Sequence, residues 1–341
     1  MPGEFGLIAK YFSRPTPATV LGPGDDCALI APSPGKQLAV TTDMLVAGTH
    51  FLPDTDPARL GWKALAVNLS DLAAMGAKPR WVTLAGALPV PQGDLSPRPR
   101  SFQGVVDEAW IAKFAEGFFA CAAEYGVDVI GGDTTKGPLN VCITAIGEIE
   151  PGQALRRDGA KAGDQIWVSG RPGLASLGLA QLQGRIELPE PWPRLCIAAL
   201  EKPRPRVALG QALIGVANAA IDISDGLLAD LGHICERSGC AAIVKLVQLP
   251  HLPKGESYNA DLRRMALECQ LSGGDDYELV FTAPFEQHLA IGQIAARLEL
   301  PLWCIGEISA GTPGSVTVLD PDDKPVEFPR TGYDHFAQET A

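Results

Sequence analysis

The 341-residue chain contains no C-x-x-C pair and no H-E-x-x-H, and its five histidines are scattered. Zinc sites built on those spacings are excluded. No apolar run approaches the ~18 residues that span a bilayer. The longest stretches, such as Val141–Ile146, have the length of buried strands. Positive charge is short, with 28 Lys and Arg against 40 Asp and Glu and a net charge of −12. A nucleic-acid binder needs a basic footprint to neutralise phosphates, so that class is excluded. The opening Met-Pro-Gly-Glu-Phe-Gly has no basic stretch followed by an apolar one. A cytoplasmic protein without a secretory signal is therefore expected. The common nucleotide signatures are missing too: G-x-x-x-x-G-K-[ST], G-x-G-x-x-G after a strand, and the H-R-D and D-F-G pair.

What is present is an ordinary globular composition, 46% hydrophobic and 20% charged. The length corresponds to two domains of roughly 150 residues, each large enough to bury a core without a disulfide or metal staple. Eight cysteines lie at 27, 121, 142, 196, 235, 240, 269 and 304, mostly in apolar segments, and read as reduced core residues.

Strand-like and helix-like segments interleave, which argues α/β or α+β architecture. Gln37–Asp43 alternates as a strand. Leu60, Leu65, Leu69 and Leu72 form a helical stripe within 56–79, with Gly76 and Pro79 after it. A second helix is expected over 107–125. Strands are expected at 127–130 and 140–149, around a Gly-Gly-Asp-Thr-Thr turn. The Gly/Arg/Asp-rich stretch 151–164 separates domains at 1–150 and 151–341. Beyond it come a strand at 165–169, a helix near 206–218, and a helix after Asp222-Ile223-Ser224-Asp225-Gly226. Ser224 or Asp225 is expected to cap that last helix, and Gly239 to close it. Residues 91–104, rich in Pro, Ser and Arg, read as a loop.

The informative feature is a set of acidic residues in Gly- or Ser-rich turns beside apolar segments. They are Asp25-Asp26, Asp43 after Thr41-Thr42, Asp71 in Asn68-Leu69-Ser70-Asp71, Asp133 after Gly131-Gly132, Asp222 and Asp225 around Ser224, and Asp275-Asp276 after Gly273-Gly274. Singly, each is ordinarily a turn or cap residue. Jointly they exceed what turns require, and Lys and Arg are sparse in the same segments. A core-adjacent carboxylate must be paired, hydrogen-bonded or on a metal. Mg²⁺, which takes carboxylates, phosphates and water, would neutralise such a set.

The order of these blocks resembles the thiamine-monophosphate kinase family, in the superfamily of aminoimidazole ribonucleotide synthetase and selenophosphate synthetase. The resemblance runs through GPGDDCAL (22–29), TTDMLVAGTHF (41–51), KALAVNLSDLAAMGA (63–77), IGGDTT (130–135), RDGAKAGD (157–164), AIDISDGLLADLGHI (220–234), LSGGDDYEL (271–279) and GYDHF (332–336). It implies a two-domain α/β (α+β) aminoimidazole ribonucleotide synthetase-like fold, with the N-terminal domains pairing into a shared barrel in a homodimer. It also implies transfer of the ATP γ-phosphoryl to thiamine monophosphate. By matching motif, several Mg²⁺ ions fall on Asp26, Asp43, Asp71, Asp133, Asp222 and Asp225, with Thr41 and Thr42 assisting through hydroxyl or backbone oxygens. ATP falls on Gly132, Arg157 and Ser224, and thiamine monophosphate on His50, Asp275 and Tyr333. Asp275 stands where the family often has Glu.

The acceptor is a phosphate, mostly dianionic at pH 7, so no general base is expected. The obstacle is repulsion between two polyanions, which metal ions would screen. Two rival readings are another ATP-dependent synthetase of the same superfamily and a non-enzymatic metal-binding protein. Partners from the membrane or nucleic acids are not expected.

Overall fold

The computed structural model describes residues 3–89, 106–251, 260–328 and 332. The expected loop at 91–104 and the substrate contact at Tyr333 lie outside them. The chain divides into two compact units, one of Met1–Leu72 with Ala77–Gly152, the other of Ala73–Gly76 with Gln153–Ala341.

In the first unit a helical turn, Glu4–Leu7, runs into a π-turn, Ile8–Phe12. Then follow β1 (Gln37–Val46), α1 (Pro57–Ala74), β2 (Lys78–Leu88), α2 (Glu108–Tyr125), β3 (Asp128–Lys136) and β4 (Asn140–Ile149). The strands form one sheet in the order β1-β4-β2-β3, antiparallel except for the parallel β2–β3 pair. Helix α2 starts where Asp107 accepts the Trp110 N–H and ends at left-handed Gly126. One sheet face is buried through Leu45, Val141, Ile143, Ala145 and Val82. Leu60, Leu65, Leu69 and Leu72 of α1 and Ile111, Phe114 and Phe118 of α2 are buried too. The opposite face of β1 leaves Leu38, Val40 and Met44 exposed.

One strand runs further than the pattern implied. β3 continues through Gly131-Gly132-Asp133-Thr134-Thr135 instead of turning there. Gly132 pairs with Leu84 of β2, and a Cβ at Gly132 would lie 1.8 Å from the Leu84 carbonyl oxygen. The glycines serve close strand approach, not a turn.

The second unit holds β5 (Gln165–Ser169), α3 (Leu174–Leu182), α4 (Trp192–Glu201), α5 (Val207–Leu213), β6 (Ala219–Asp222), α6 (Leu227–Ser238), β7 (Ala241–Lys245), α7 (Ala260–Ser272), β8 (Leu279–Ala283), α8 (His288–Leu298), β9 (Leu302–Ser309), β10 (Val316–Leu319) and β11 (Pro325–Val326). Its sheet order is β11-β10-β7-β9-β5-β8-β6. Alternate strand residues feed two cores, as the two-residue period of a strand requires. Ile166, Val168, Ile221 and Val280 pack with Leu227, Leu231 and Ile234 of α6. Trp167, Ala220, Leu279 and Phe281 pack with Leu209 and Leu213 of α5 and with Ile291 and Ile294 of α8. Both faces are thus covered by helices, a mixed α/β layer arrangement.

All eight cysteines are free. Cys121, Cys196, Cys235 and Cys240 are buried core residues as expected, whereas Cys27 is exposed. No helix of the described residues is long and apolar enough to cross a membrane.

Candidate functional site

In the first unit the inner sheet face brings three of the expected ligands together. Residues 41 and 43 alternate inward on β1, and Asn68 and Asp71 lie one turn apart on α1. The Thr41 hydroxyl donates to Asp71 Oδ2. The Asp43 N–H donates to Asn68 Oδ1 at 3.1 Å, and Asn68 Nδ2 donates in turn to the Ala64 carbonyl at 3.2 Å. Among the described residues no donor reaches the Asp43 carboxylate. Burial, and then the charge of Asp71, push its pKa up to about 7. A half-buried carboxylate facing another is the state a bound cation relieves.

The remaining expected ligands of this unit stand apart from that pair. Thr42 points to the other sheet face, where its hydroxyl meets that of Thr144 at 2.8 Å. Only its backbone oxygen is left for the role expected of it. Register puts Asp43, Ile143, Leu84 and Gly132 in one row. Asp133, one residue on, falls in the next row with Ala85, Cys142 and Met44 and is exposed. Asp26 is exposed in a turn, its N–H donating to Asp25 Oδ1 at 3.0 Å. Among the described residues no group of three or more His, Cys, Asp or Glu is placed to hold a metal. The structure therefore assembles a two-carboxylate nucleus rather than a closed cage.

His50 closes the turn after β1. Its Nδ1 accepts the Val46 N–H at 3.0 Å, and its own N–H donates to the Val46 carbonyl at 2.9 Å. With Nδ1 as acceptor, the neutral ring carries its proton on Nε2.

In the second unit two loops lie against each other. The Asp275 N–H donates to the Ser224 carbonyl and the Tyr277 N–H to the Ile223 carbonyl, both at 2.9 Å. The Ile223 N–H donates back to the Glu278 carbonyl at 2.8 Å. Ser224 and Asp275 are thereby brought together, beside Asp222, which is buried at the end of β6. Arg157 is exposed, and among the described residues only its carbonyl is engaged, by the Ser238 hydroxyl at 2.8 Å. Arg156, beside it, is tied to Asp158 by contacts of 2.8 and 2.5 Å.

The cap of α6 differs from expectation. Neither Ser224 nor Asp225 caps it; Gly226 occupies the N-cap without a side-chain bond. Instead Asp230 Oδ2 accepts the N–H groups of Ser224, Asp225 and Gly226, each at 3.1 Å. An acid within the first turn suits the positive helix end and satisfies its orphan donors. Gly239 closes the helix in the left-handed region, as expected. Burial pushes Asp230 up to about 7 against the pull of those N–H bonds.

Other residues of this loop pair received no role from the sequence, although Asp276 belongs to the acidic set. Asp276 accepts the Gly173 N–H at 2.6 Å and the Ala175 N–H at 3.1 Å, and burial raises its pKa well above the ordinary carboxylate value. Glu278 is held by Arg206 and by the Ser169 hydroxyl. The Tyr277 hydroxyl donates to Asp275 Oδ1 at 3.0 Å. The only signal for these was the length of the LSGGDDYEL block, which does not distinguish a packing carboxylate from a ligand.

Comparison with known proteins covers both units. The N-terminal domain of AIR synthase related proteins matches residues 24–149 and the C-terminal domain of the same family matches 161–319. A thiamine-monophosphate kinase of Salmonella typhimurium is 46% identical over 98% of each chain. The crystal structure of a thiamine-monophosphate kinase from Stenotrophomonas maltophilia superposes with a TM-score of 0.79 at 44% identity, covering 94% of this chain and 96% of that one. The structure of AaThiL complexed with AMPPCP and TMP superposes with a TM-score of 0.71 at 30% identity, covering 97% and 96%.

Proposed function

We infer that this chain, which belongs to the AIR synthase related family among its thiamine-monophosphate kinases, transfers the γ-phosphoryl of ATP to thiamine monophosphate, giving thiamine diphosphate and ADP. The site observation that carries the chemical reading is the facing pair Asp43 and Asp71, with the Thr41 hydroxyl on Asp71. Two carboxylates and a hydroxyl are hard oxygen donors, and their mutual repulsion fits a divalent cation of the Mg²⁺ class. Asp43, Asp71 and Thr41 would hold it, with Asp26, the Thr42 carbonyl and Asp133 as further ligands from the same unit; Asp222 and Asp225 are the metal ligands we assign to the second unit. When bound, such ions neutralise the phosphate oxygens and stabilise charge that develops on them.

The rest falls to the chain's own groups. Gly132, where no side chain fits beside β2, lets backbone approach the nucleotide closely. Arg157 offers an uncommitted guanidinium for phosphate oxygens, and Ser224 a loop backbone and hydroxyl. The His50 Nε2–H donates to the acceptor phosphate, and Asp275 faces the cationic end of thiamine monophosphate. An acceptor phosphate oxygen attacks the γ-phosphorus as the bond to ADP breaks, and no side chain needs to remove a proton. Tyr333 remains proposed as a cover for the substrate ring.

The exposed apolar face of β1, with Leu38 at 42%, Val40 at 62% and Met44 at 52% exposure, supports a homodimer formed through this sheet. V40E should shift sedimentation from dimer to monomer. Eight free thiols fit a reducing compartment, and we read the protein as cytoplasmic.

The test is an assay with ATP, Mg²⁺ and thiamine monophosphate, following thiamine diphosphate by chromatography with free thiamine as control acceptor. Product from the monophosphate alone supports the reading. No product, with ATP still bound, contradicts it and points to another acceptor of the superfamily.

A further inference from the structure

The 273–278 loop is held in a conformation that side chains resist. Asp275 sits at φ 69° and Tyr277 at φ 51°, both in the left-handed region. Asp tolerates that region, whereas a bulky aromatic rarely enters it. Such backbone persists only where its surroundings over-determine it. Here they do. Gly274 lies so close to the 223–226 loop that a Cβ would stand 2.3 Å from the Ser224 carbonyl oxygen. The N–H groups on either side of Asp276, those of Asp275 and Tyr277, are tied to the Ser224 and Ile223 carbonyls. Asp276 between them is anchored on the N–H groups of Gly173 and Ala175.

The consequence is local. With both residues 275 and 277 left-handed, the ring of Tyr277, itself 9% exposed, returns its hydroxyl to Asp275 Oδ1 at 3.0 Å. We propose that Tyr277 is a positioning residue, whose hydroxyl fixes the Asp275 carboxylate in the orientation that receives the ring portion of the acceptor, which carries a quaternary thiazolium and a neutral aminopyrimidine. The proposal rests on the reading of Asp275 as a substrate contact. It adds a specificity device: the carboxylate is pre-set by the protein rather than ordered by the substrate, which lowers the cost of binding. It also matches a side chain of aspartate length, because the hydroxyl meets the carboxylate two bonds from the backbone.

The experiment uses the full chain with AMPPCP and Mg²⁺, and titrates thiamine monophosphate by calorimetry into wild type, Y277F, D275N and the double variant. Y277F removes one hydrogen bond to a charged group and should weaken thiamine-monophosphate binding about tenfold. Its kcat, its KM for ATP and its melting temperature should stay near wild type. The double variant should bind no more weakly than D275N, because the hydroxyl acts only through that carboxylate. If D275N weakens binding but Y277F does not, the positioning role is overturned while the contact stands. If D275N binds as wild type, the contact reading itself fails and the proposal with it. Equal losses for ATP and thiamine monophosphate with a lowered melting temperature would also overturn it, by showing a structural role.

Discussion

The two units share one way of treating buried acids, and the first unit adds another. In the second unit Asp230 is answered by three N–H groups, Asp276 by two, and Glu278 by Arg206 and Ser169. In the first unit Asp128 and Glu148 are answered likewise, the former by the Ala18 N–H and Thr19 hydroxyl, the latter by the Ser33 N–H and hydroxyl. Asp43 is the contrast: the charge of Asp71 acts on it, and among the described residues no donor reaches its carboxylate. An acid satisfied by backbone is holding the fold; an acid left facing another acid is waiting for a cation.

The largest effect that would break this contrast concerns Asp71. D71N should lower turnover about a hundredfold or more and raise the Mg²⁺ needed for half-maximal rate. Turnover near wild type at limiting Mg²⁺ would remove the distinction between the two kinds of acid.

Asp276 gives the converse. D276A strands the buried Gly173 and Ala175 N–H groups and should cost about 2–3 kcal/mol of stability in a denaturant titration. A loss within experimental error would show that these donors are satisfied some other way.

Asp230 sharpens the comparison through pH. Its folded pKa, about 7, lies above the ordinary carboxylate value of 3.8. Between those values the folded chain keeps a proton that the unfolded chain has lost. Stability contributed by this group is therefore full below about pH 4, falls as pH rises towards 7, and is flat beyond. The full decline is on the order of 4 kcal/mol, and D230N, which cannot ionise, should flatten it. Chemical denaturation of both proteins at pH 5 and 8 checks the sign.

The smallest difference separates two adjacent arginines. R157A should raise the KM for ATP about tenfold, the loss of one charge-assisted phosphate contact. R156A breaks only an exposed pair with Asp158 and should leave both stability and ATP kinetics unmoved. The reverse pattern would assign the nucleotide to Arg156.

Much of this was legible beforehand because periodicity reports burial directly. The alternation of 39, 41, 43 and 45 on β1 and the leucine stripe of α1 both place their elements. Glycine was the point of ambiguity. At 131–132 it permits close strand pairing, and at 226 it takes the N-cap position that Ser224 and Asp225 were expected to fill. Both uses look alike in a sequence. Sheet order was not legible, since the parallel β2–β3 pair and the β11-β10-β7-β9-β5-β8-β6 order depend on long-range contacts. Within the site, the motifs pointed to the acids but could not sort them. Asp275 and Asp276 are neighbours with the same chemistry. Only the backbone geometry shows that one anchors α3 while the other is held by Tyr277. Asp230 lies inside AIDISDGLLADLGHI, where nothing in the sequence sets an acid in a helix's first turn apart from an ordinary one.

The most direct test is of the facing pair itself. Mn²⁺ can stand in for Mg²⁺, and its electron paramagnetic resonance reports bound ion in the presence of AMPPCP. The account predicts tightly bound Mn²⁺ in wild type, a loss of that tight component in both D43N and D71N, and no loss in D276N. Equal tight binding in all four proteins would contradict it.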